Sequence, residues 1–315
     1  MIHLRRYGTL IGFAAIVVFF WIAMPDTFLT GRNLLNISQQ ISMLAVVAFA
    51  MTIVMAMGDF DLSVGAMASL SGIVAGVLFA QGAPVPVGLA AALAVGAAGG
   101  LLNGVLVAVV GILPFVATLG TLTIFGGLAF LISDGRTIFG RDIPESFGSF
   151  ARSGVSVGGV SVPALTLVAL AVLALVWLLL EHTTYGRRLY AIGGNMEAAR
   201  LAGVRVRLLR ASAFVLTGLG AAGAGLMYAA RVASANPTQG NGLMLDAIAA
   251  VFLGMTMSEE AEPRVGATLV GVLILAVLDN GLTQMSVDSY VREILVGSII
   301  LAAVGAAGLG SLVRR

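Results

Sequence analysis

Long apolar segments follow one another along nearly the whole chain and are separated by polar breaks. An α-helical membrane span needs about 20 mainly apolar residues, and ten segments approach or reach that length. Charged residues make up 10% of the 315 residues, whereas soluble domains carry about a quarter. We therefore predict an all-α fold, a polytopic membrane helical bundle of about ten transmembrane helices in a single domain over residues 1–315. The predicted spans are residues 9–25, 41–57, 64–80, 85–110, 115–132, 160–180, 211–230, 244–257, 265–283 and 291–309.

The first apolar segment has a feature of signal peptides, because Arg5 and Arg6 precede it. A signal peptide ends in a small-x-small cleavage site, and residues 25–28 (Pro-Asp-Thr-Phe) do not provide one. We interpret the segment as a retained first span.

The arginines are distributed unevenly among the polar breaks. Residues 182–210 carry six arginines, whereas residues 134–159 carry three arginines balanced by three acidic residues. Basic residues mark the cytoplasmic side of a membrane protein, so residues 182–210 are predicted to be cytoplasmic and residues 134–159 extracytoplasmic. Because six spans precede the basic break and four follow it, both termini are predicted to lie on the cytoplasmic side of a bacterial inner membrane.

Several chemistries are excluded by residue types that the chain lacks. It contains neither cysteine nor lysine, so disulfides, thiolate catalysis and a G-x-x-x-x-G-K-[ST] phosphate loop are ruled out. The two histidines, His3 and His182, form no H-E-x-x-H motif, and no metal site is predicted. A Ser–His pair around His182 is the one enzymatic alternative. The arginines lack the interleaved aromatic residues of a nucleic-acid surface, so no nucleic-acid partner is expected.

Two segments about 200 residues apart share a pattern, namely residues 55–66 and 255–267. Each has an M-x-M run, an acidic interruption and then Val-Gly-Ala opening the next apolar segment, and Asn103-Gly104 is echoed by Asn280-Gly281. Transporters are often built from internal repeats, and chance similarity between apolar segments is the alternative. With ten spans the two copies run parallel, whereas a different span count makes them inverted.

The first acidic interruption places two carboxylates, Asp59 and Asp61, between apolar segments. A charge deep in the bilayer costs about 2.5–3.5 kcal/mol, so these groups are expected to face protein or a water-filled cavity. Ser63 or Asp61 is expected to cap the helix that starts at Val64, and the flanking glycines are expected to let the backbone unwind. A structural break near the cytoplasmic face and a proton-carrying or path-lining pair are both open interpretations. The residues of this break are Gly58, Asp59, Asp61, Ser63 and Gly65.

A short helix of two turns is predicted within the cytoplasmic break. Gly193-Gly194 interrupts the chain, Asn195 is a good N-cap, Glu197 suits the positive end of the helix dipole, and Gly203 is placed as the C′ glycine. A lone helix this short is marginal in water, so a partner is expected to hold it. An ordinary amphipathic loop is the alternative.

Three motifs in this order resemble the ribose/xylose/arabinose/galactose permeases of ATP-binding-cassette importers. They are residues 58–65 (Gly-Asp-Phe-Asp-Leu-Ser-Val-Gly), residues 113–122 (Leu-Pro-Phe-Val-Ala-Thr-Leu-Gly-Thr-Leu) and residues 185–204. The likeness extends over nearly the whole chain. Asp59 stands where many relatives have a glycine. The resulting Gly-Asp-Phe-Asp form resembles the arabinose-type branch of the family. Residues 258–264 depart from the glycine-rich second copy of the family, because they carry three glutamates and a proline.

The resemblance implies a homodimeric permease in the lipid membrane. It implies a cytoplasmic ATPase with two nucleotide-binding cassettes in one chain, and a periplasmic or lipid-tethered sugar-binding protein. It also implies that the permease has no ATPase site and no cofactor, since the partner binds ATP. The residues that would couple to the ATPase are Asn195, Glu197, Ala198, Ala199, Arg200 and Gly203.

The predicted function is translocation of a monosaccharide, with a pentose favoured by the Gly-Asp-Phe-Asp form alone. The alternative is a proton-coupled secondary transporter that uses Asp59 and Asp61, with Asp246 as a further candidate. A sugar path needs hydroxyl partners and aromatic walls in a mostly apolar tunnel, although the same side chains are equally suited to bonding helix to helix. The path candidates are Asn103, Phe115, Thr118, Thr121, Thr123, Phe125, Asn280 and Gln284.

Overall fold

The computed structural model describes residues 2–258, 262–298 and 301, and helices dominate it. Four short strands form two antiparallel pairs, β1 (Ile138–Phe139) with β4 (Ser234–Ala235) and β2 (Gly154–Val157) with β3 (Val160–Pro163). The α-helices are α1 (Ile2–Ala23), α2 (Gly31–Met55), α3 (Val64–Ala80), α4 (Val85–Val105, extended by a π-helical turn Leu106–Val110), α5 (Pro114–Ser133), α6 (Glu145–Arg152), α7 (Ala164–His182), α8 (Thr184–Gly194), α9 (Met196–Leu201), α10 (Val206–Val232), α11 (Leu243–Met255) and α12 (Val265–Gln284), and residues 289–298 are also helical.

Every predicted span within the described residues overlaps a helix. Three of these apolar helices are shorter than a full membrane span, namely Gly8–Ala23, Val64–Ala80 and Leu243–Met255. The tenth predicted span, residues 291–309, lies partly outside the described residues. The all-α polytopic membrane fold is therefore confirmed. The helices long and apolar enough to cross a membrane are Gly31–Met55, Val85–Val110, Pro114–Ser133, Ala164–His182, Val206–Val232 and Val265–Gln284.

Helices α2 and α10 form the centre of the bundle and are mostly buried, whereas few residues of α5 and α7 are buried. Glycines on α4 face α10 at four-residue spacing. A methyl group at Gly96 would lie 2.5 Å from Ala222 Cβ, and one at Gly104 would lie 2.7 Å from Ala211 Cα. Small residues at this spacing let membrane helices approach closely, so this row of glycines determines how tightly α4 packs on α10.

The polar breaks collect at two opposite ends of the bundle. At one end, which we call the arginine-rich end, α8 touches residues 56–57 and Pro263, and Thr9 Oγ1 lies 2.7 Å from Thr256 Oγ1. At the other, the strand end, β1 pairs with β4. Residues 182–210 and 134–159 thus lie at different ends of the bundle, while the assignment of the arginine-rich end to the cytoplasm stays a prediction.

The two copies of the M-x-M pattern run parallel. Met55 and Met255 each end a helix, Val64 and Val265 each begin the next one, and both breaks lie at the arginine-rich end because α8 contacts both. Helices α2 and α12 lie antiparallel, since Thr52 Oγ1 is 2.9 Å from Thr268 Oγ1 at one end and Asn33 bonds Asn280 at the other.

Residues 236–242 leave the strand end and enter the bundle without helical structure. The Gln239 side-chain amide donates to the Gly225 carbonyl at 3.0 Å, and the Gly240 N–H donates to Ser69 Oγ at 2.8 Å. Non-helical backbone at membrane depth is tolerated where protein satisfies it. Gly65 was expected to let the backbone unwind, which is wrong: it is helical, and its missing side chain admits Gly240, whose carbonyl oxygen would lie 2.6 Å from a methyl group there.

Replacing Gly218 by alanine is expected to lower the melting temperature by several degrees. A methyl group at this position would lie 3.0 Å from the Gly100 backbone, and overpacking of this kind costs about 1–3 kcal/mol. Gly223→Ala is the matched control, because it lies on the same helix with nothing within 4 Å. Thermal unfolding in detergent, followed by tryptophan fluorescence, measures both. Equal melting temperatures for the two variants would contradict the close packing of α4 on α10.

Candidate functional site

The first break, residues 56–63, is tied to α10 by a buried ion pair. Asp59 is 5% exposed, and Arg210 donates to both of its carboxylate oxygens, from Nε at 2.8 Å and from Nη2 at 2.9 Å. Gly58 supplies the left-handed backbone that turns the chain here, with φ of +80°. Two parallel N–H···O bonds fix orientation as well as distance, so the pair holds the break against the first turns of α10.

Asp61 is 1% exposed and accepts hydrogen bonds from neutral donors. Its Oδ1 accepts from the Ser63 N–H at 2.9 Å and from the Ser63 hydroxyl at 2.6 Å. The predicted capping of α3 by Ser63 is wrong, because Ser63 lies in the right-handed helical region (φ −82°, ψ −8°) and makes no side-chain cap bond. The alternative, Asp61, does accept from a backbone N–H at this end of the helix, that of Ser63. A capping side chain needs extended backbone, and the Ser63 hydroxyl is engaged by Asp61 instead.

A chain of buried polar side chains continues from Asp61 across two helices. Asn103 on α4 donates to Ser63 Oγ at 2.9 Å, and Thr121 on α5 donates to the side-chain oxygen Oδ1 of Asn103 at 2.7 Å. Asn103 is fully buried and Thr121 is 1% exposed. We call Asp61, Ser63, Asn103 and Thr121 the buried polar chain. It links the first break to α4 and α5 inside the bundle.

The other path candidates do not join this chain. Thr118 is fully buried and donates to the Pro114 carbonyl, and Phe125 packs near Gly99. Phe115 is 59% exposed and Thr123 is exposed on α5.

Asn280 and Gln284 lie elsewhere, at the strand end. Asn33 donates to the Asn280 side-chain oxygen at 2.9 Å, and Gln284 donates to the same oxygen at 2.8 Å. Asn33 was not predicted from the sequence, because its position in the first turn of α2 gave no distinguishing signal. Arg210 was predicted only as one of six basic residues in a cytoplasmic break. Its place one turn inside an apolar helix was the signal for a buried partner.

The short helix α9 stands at the arginine-rich end with both predicted caps. Asn195 Oδ1 accepts from the Ala198 N–H at 2.9 Å, and Gly203 has φ of +82° and donates to the Arg200 carbonyl at 3.0 Å. The helix spans six residues rather than two full turns. Ala199 is 5% exposed and faces the protein, whereas Glu197 and Arg200 are exposed and lie 3.8 Å apart.

Large apolar side chains on α9 were missed by the sequence analysis. Leu201 is 81% exposed and Met196 is 38% exposed. In an apolar sequence one more leucine carries no signal, and only the position outside the bundle distinguishes it.

The second break, residues 256–264, is held against α7 and α8. Arg264 pairs with Glu181 at 3.1 Å and with Glu262 at 3.2 Å, and its guanidinium carbon lies 5.9 Å from the Tyr190 ring centre. Tyr190 donates to the Pro263 carbonyl at 3.0 Å. Burial, and secondarily the Glu181 charge, raise the pKa of the Tyr190 phenol, so the donor keeps its proton. Residues 259–261 of the acidic loop lie outside the described residues.

His182 packs its ring on Trp177, with ring centres 4.2 Å apart. Both residues line a cavity of about 610 Å³ together with Ser258 and Arg264. In the described structure His182 forms no hydrogen bond to a serine, so no Ser–His pair is assembled there.

Arg210→Gln is expected to destabilise the protein strongly, because it leaves the Asp59 carboxylate buried without its charge partner. Breaking such a pair costs about 3–5 kcal/mol. The double variant Asp59→Asn/Arg210→Gln should recover much of the loss, since no charge then stays buried. Thermal unfolding in detergent measures both, with exposed Arg207→Gln on the same helix as control. If Arg210→Gln melts like Arg207→Gln, the ion pair does not anchor the break.

Comparison with known proteins places this arrangement in a family. A family model described as "Branched-chain amino acid transport system / permease component" matches residues 33–304. The ribose import permease protein of Bacillus subtilis (strain 168) is 38% identical over 301 residues, which cover 96% of this chain and 92% of that protein. No solved structure matches the chain.

Permeases that are named for other sugars have comparable sequence identity to this chain. The D-allose transport system permease protein of Escherichia coli (strain K12) is 34% identical, covering 95% of this chain and 90% of that protein. The L-arabinose transport system permease protein of the same strain is 36% identical, covering 95% and 89%. These identities do not single out the arabinose-type branch. The chain belongs to the family of membrane permeases whose model is described as the branched-chain amino acid transport system permease component.

Proposed function

We propose that this chain is the membrane-spanning permease subunit of an ATP-binding-cassette importer and translocates a monosaccharide across the bacterial inner membrane. Its relatives are named as import permeases for ribose, D-allose and L-arabinose, and a pentose is our favoured substrate. Its partners are a cytoplasmic ATPase with two cassettes, a periplasmic or lipid-tethered sugar-binding protein and a second copy of the chain. Both termini and the arginine-rich end face the cytoplasm.

The single observation that carries this proposal is α9. It is a capped helix of six residues that stands outside the bundle, with Leu201 81% exposed at its end. So short a helix is not stable by itself in water, and its outward face offers Glu197, Ala198 and Arg200 to a partner. In the proposed importer the energy comes from the ATPase, and α9 is the element we assign to receive it.

The surface around α9 defines the chemistry of the partner. Met196 and Leu201 are exposed apolar groups, and Arg200, Arg205 and Arg207 are exposed cations. Complementary charge at an interface steers association and determines register. We therefore expect the ATPase to present an apolar socket with acidic residues at its rim.

The path is proposed to run beside the buried polar chain. Sugar hydroxyls need hydrogen-bonding partners within a mostly apolar passage, and Asn103 and Thr121 hold such groups between α4 and α5. Thr118 and Phe125 lie on the same helix as Thr121. Asn280 and Gln284, bonded to each other at the strand end, are proposed to stabilise helix contacts there rather than to line the same segment of path.

Glu197→Arg is expected to lower the yield of ATPase that co-purifies with the tagged chain and to abolish uptake of labelled ribose and L-arabinose. The substitution places a cation at the positive end of the α9 dipole and on the proposed interface. Membrane insertion should stay normal. Quantitative pull-down from detergent extracts, with uptake measured in parallel, tests this.

The matched control is Glu145→Arg. Glu145 is also an exposed glutamate in the first turn of a short helix, α6, but α6 lies at the strand end. The control should retain the wild-type yield of ATPase. Uptake and ATPase recovery at wild-type levels in Glu197→Arg would refute the assignment of α9.

The alternative is a proton-coupled secondary transporter that uses Asp59 and Asp61. The bidentate pair with Arg210 favours an anchoring role for Asp59, while Asp61, whose donors are neutral, is the group that the alternative requires.

Energy coupling separates the two functions. Proteoliposomes that contain the purified complex and enclosed ATP should import labelled ribose in the presence of binding protein without any proton gradient. An imposed gradient without ATP should drive no uptake. The opposite result, with uptake lost in Asp61→Asn, would establish the secondary transporter.

A further inference from the structure

Helix α8 contacts both copies of the repeated M-x-M break. A methyl group on Gly193 would overlap the carbonyl oxygen of Ala56 and lie 3.3 Å from the Met57 carbonyl carbon, in the first break. Tyr190 donates to the Pro263 carbonyl at 3.0 Å, in the second break. Residues three apart lie on one face of a helix. A single face of α8 therefore rests on two breaks that are about 200 residues apart in sequence.

Each break is in turn attached to a different set of helices. The first break holds α10 through Asp59 and Arg210, and it reaches α4 and α5 through the buried polar chain. The second break holds the end of α7 through Arg264 and Glu181. Contacts of α8 with the two breaks thus connect it to most of the bundle at the arginine-rich end.

Helix α8 is also joined firmly to α9. Asn195 closes α8 by donating its N–H to the Ala191 carbonyl at 3.1 Å, and its side chain caps α9 by accepting from Ala198. Since one residue terminates one helix and begins the next, a displacement of α9 is passed to α8 without a flexible linker.

We propose that α8 is a rigid element that couples the positions of the first and second breaks, a role that we call the yoke. Tyr190 and Gly193 are its positioning residues for transport. This inference rests on the proposed function, because the force on α9 comes from the ATPase. A displacement of α9 moves α8, and α8 moves the first and second breaks at the same time. The helices attached to the first break and those attached to the second break then change position together rather than one after the other. The required two-state element is the pair of breaks, whose arrangement the ATPase biases through α8.

The test measures labelled ribose imported per ATP hydrolysed by the purified complex in proteoliposomes. Tyr190→Phe removes only the hydroxyl that bonds Pro263, and Gly193→Ala forces α8 away from Ala56. Tyr190→Phe should lower the ratio roughly fivefold, the factor that a single hydrogen bond is typically worth. Gly193→Ala should also lower the ratio, because it separates α8 from the first break. The double variant should be no worse than the poorer single variant, since residues that act as a unit are not additive.

Matched controls lie on the same helix. Gly194→Ala adds a methyl group with nothing within 4 Å, and Tyr185→Phe removes a hydroxyl that lies 3.0 Å from Ser212 Oγ, on α10 rather than in either break. Both should retain the wild-type ratio. Wild-type ratios in Tyr190→Phe and Gly193→Ala would overturn the yoke.

A rescue experiment separates positioning from simple stability, and the chain offers a cysteine-free background for it. The pair Tyr190→Cys/Pro263→Cys should show a low ratio when reduced and a restored ratio when a short thiol cross-linker joins α8 to the second break. Transport that stops on cross-linking would mean that α8 slides over the break, which contradicts the proposal. If the wild-type chain brings down no ATPase, the proposed function itself fails. If the ATPase binds normally and only these ratios are unchanged, the yoke alone fails.

Discussion

The ion pair between Asp59 and Arg210 is the interaction on which the arginine-rich end of this protein depends. It is buried, bidentate and placed where the chain leaves helical geometry between α2 and α3. An unpaired charge at such a site is costly in a lipid environment, so the pair determines where the break lies against α10. Asp61, Ser63, Asn103 and Thr121 extend the same principle inward, because each polar group meets another rather than hydrocarbon.

Irregular backbone within the bundle follows the same physical requirement. Residues 236–242 pass between α3 and α10 without helical hydrogen bonds, and Gln239 and Ser69 supply the partners that water would supply elsewhere. Glycines at the crossing points make room for this segment and for the tight contact of α4 with α10. Close packing and internal hydrogen bonding thus replace the hydrophobic driving force that is absent between helices in lipid.

The two ends of the bundle differ in what they offer to other molecules. The arginine-rich end presents α8 and α9, with exposed cations and exposed apolar side chains. The strand end presents β1 paired with β4 and the β2–β3 hairpin. In the proposed importer the first end receives force from the ATPase and the second receives sugar from the binding protein. Helix α8 is the element through which the proposed force reaches both breaks.

The sequence by itself determined the helical membrane fold, the approximate positions of the apolar helices in the described residues, the capping of α9 by Asn195 and Gly203, and the family. These properties depend on local composition and spacing, because lipid requires long apolar helices and caps act within a few residues. Only the tertiary structure decided that Arg210 pairs with Asp59, that Ser63 bonds Asp61 instead of capping α3, that Asn103 and Asn280 belong to separate groups, and that α8 touches both breaks. Those contacts join residues far apart in sequence, and in a chain of similar apolar helices the pattern along one helix does not specify which neighbour it meets.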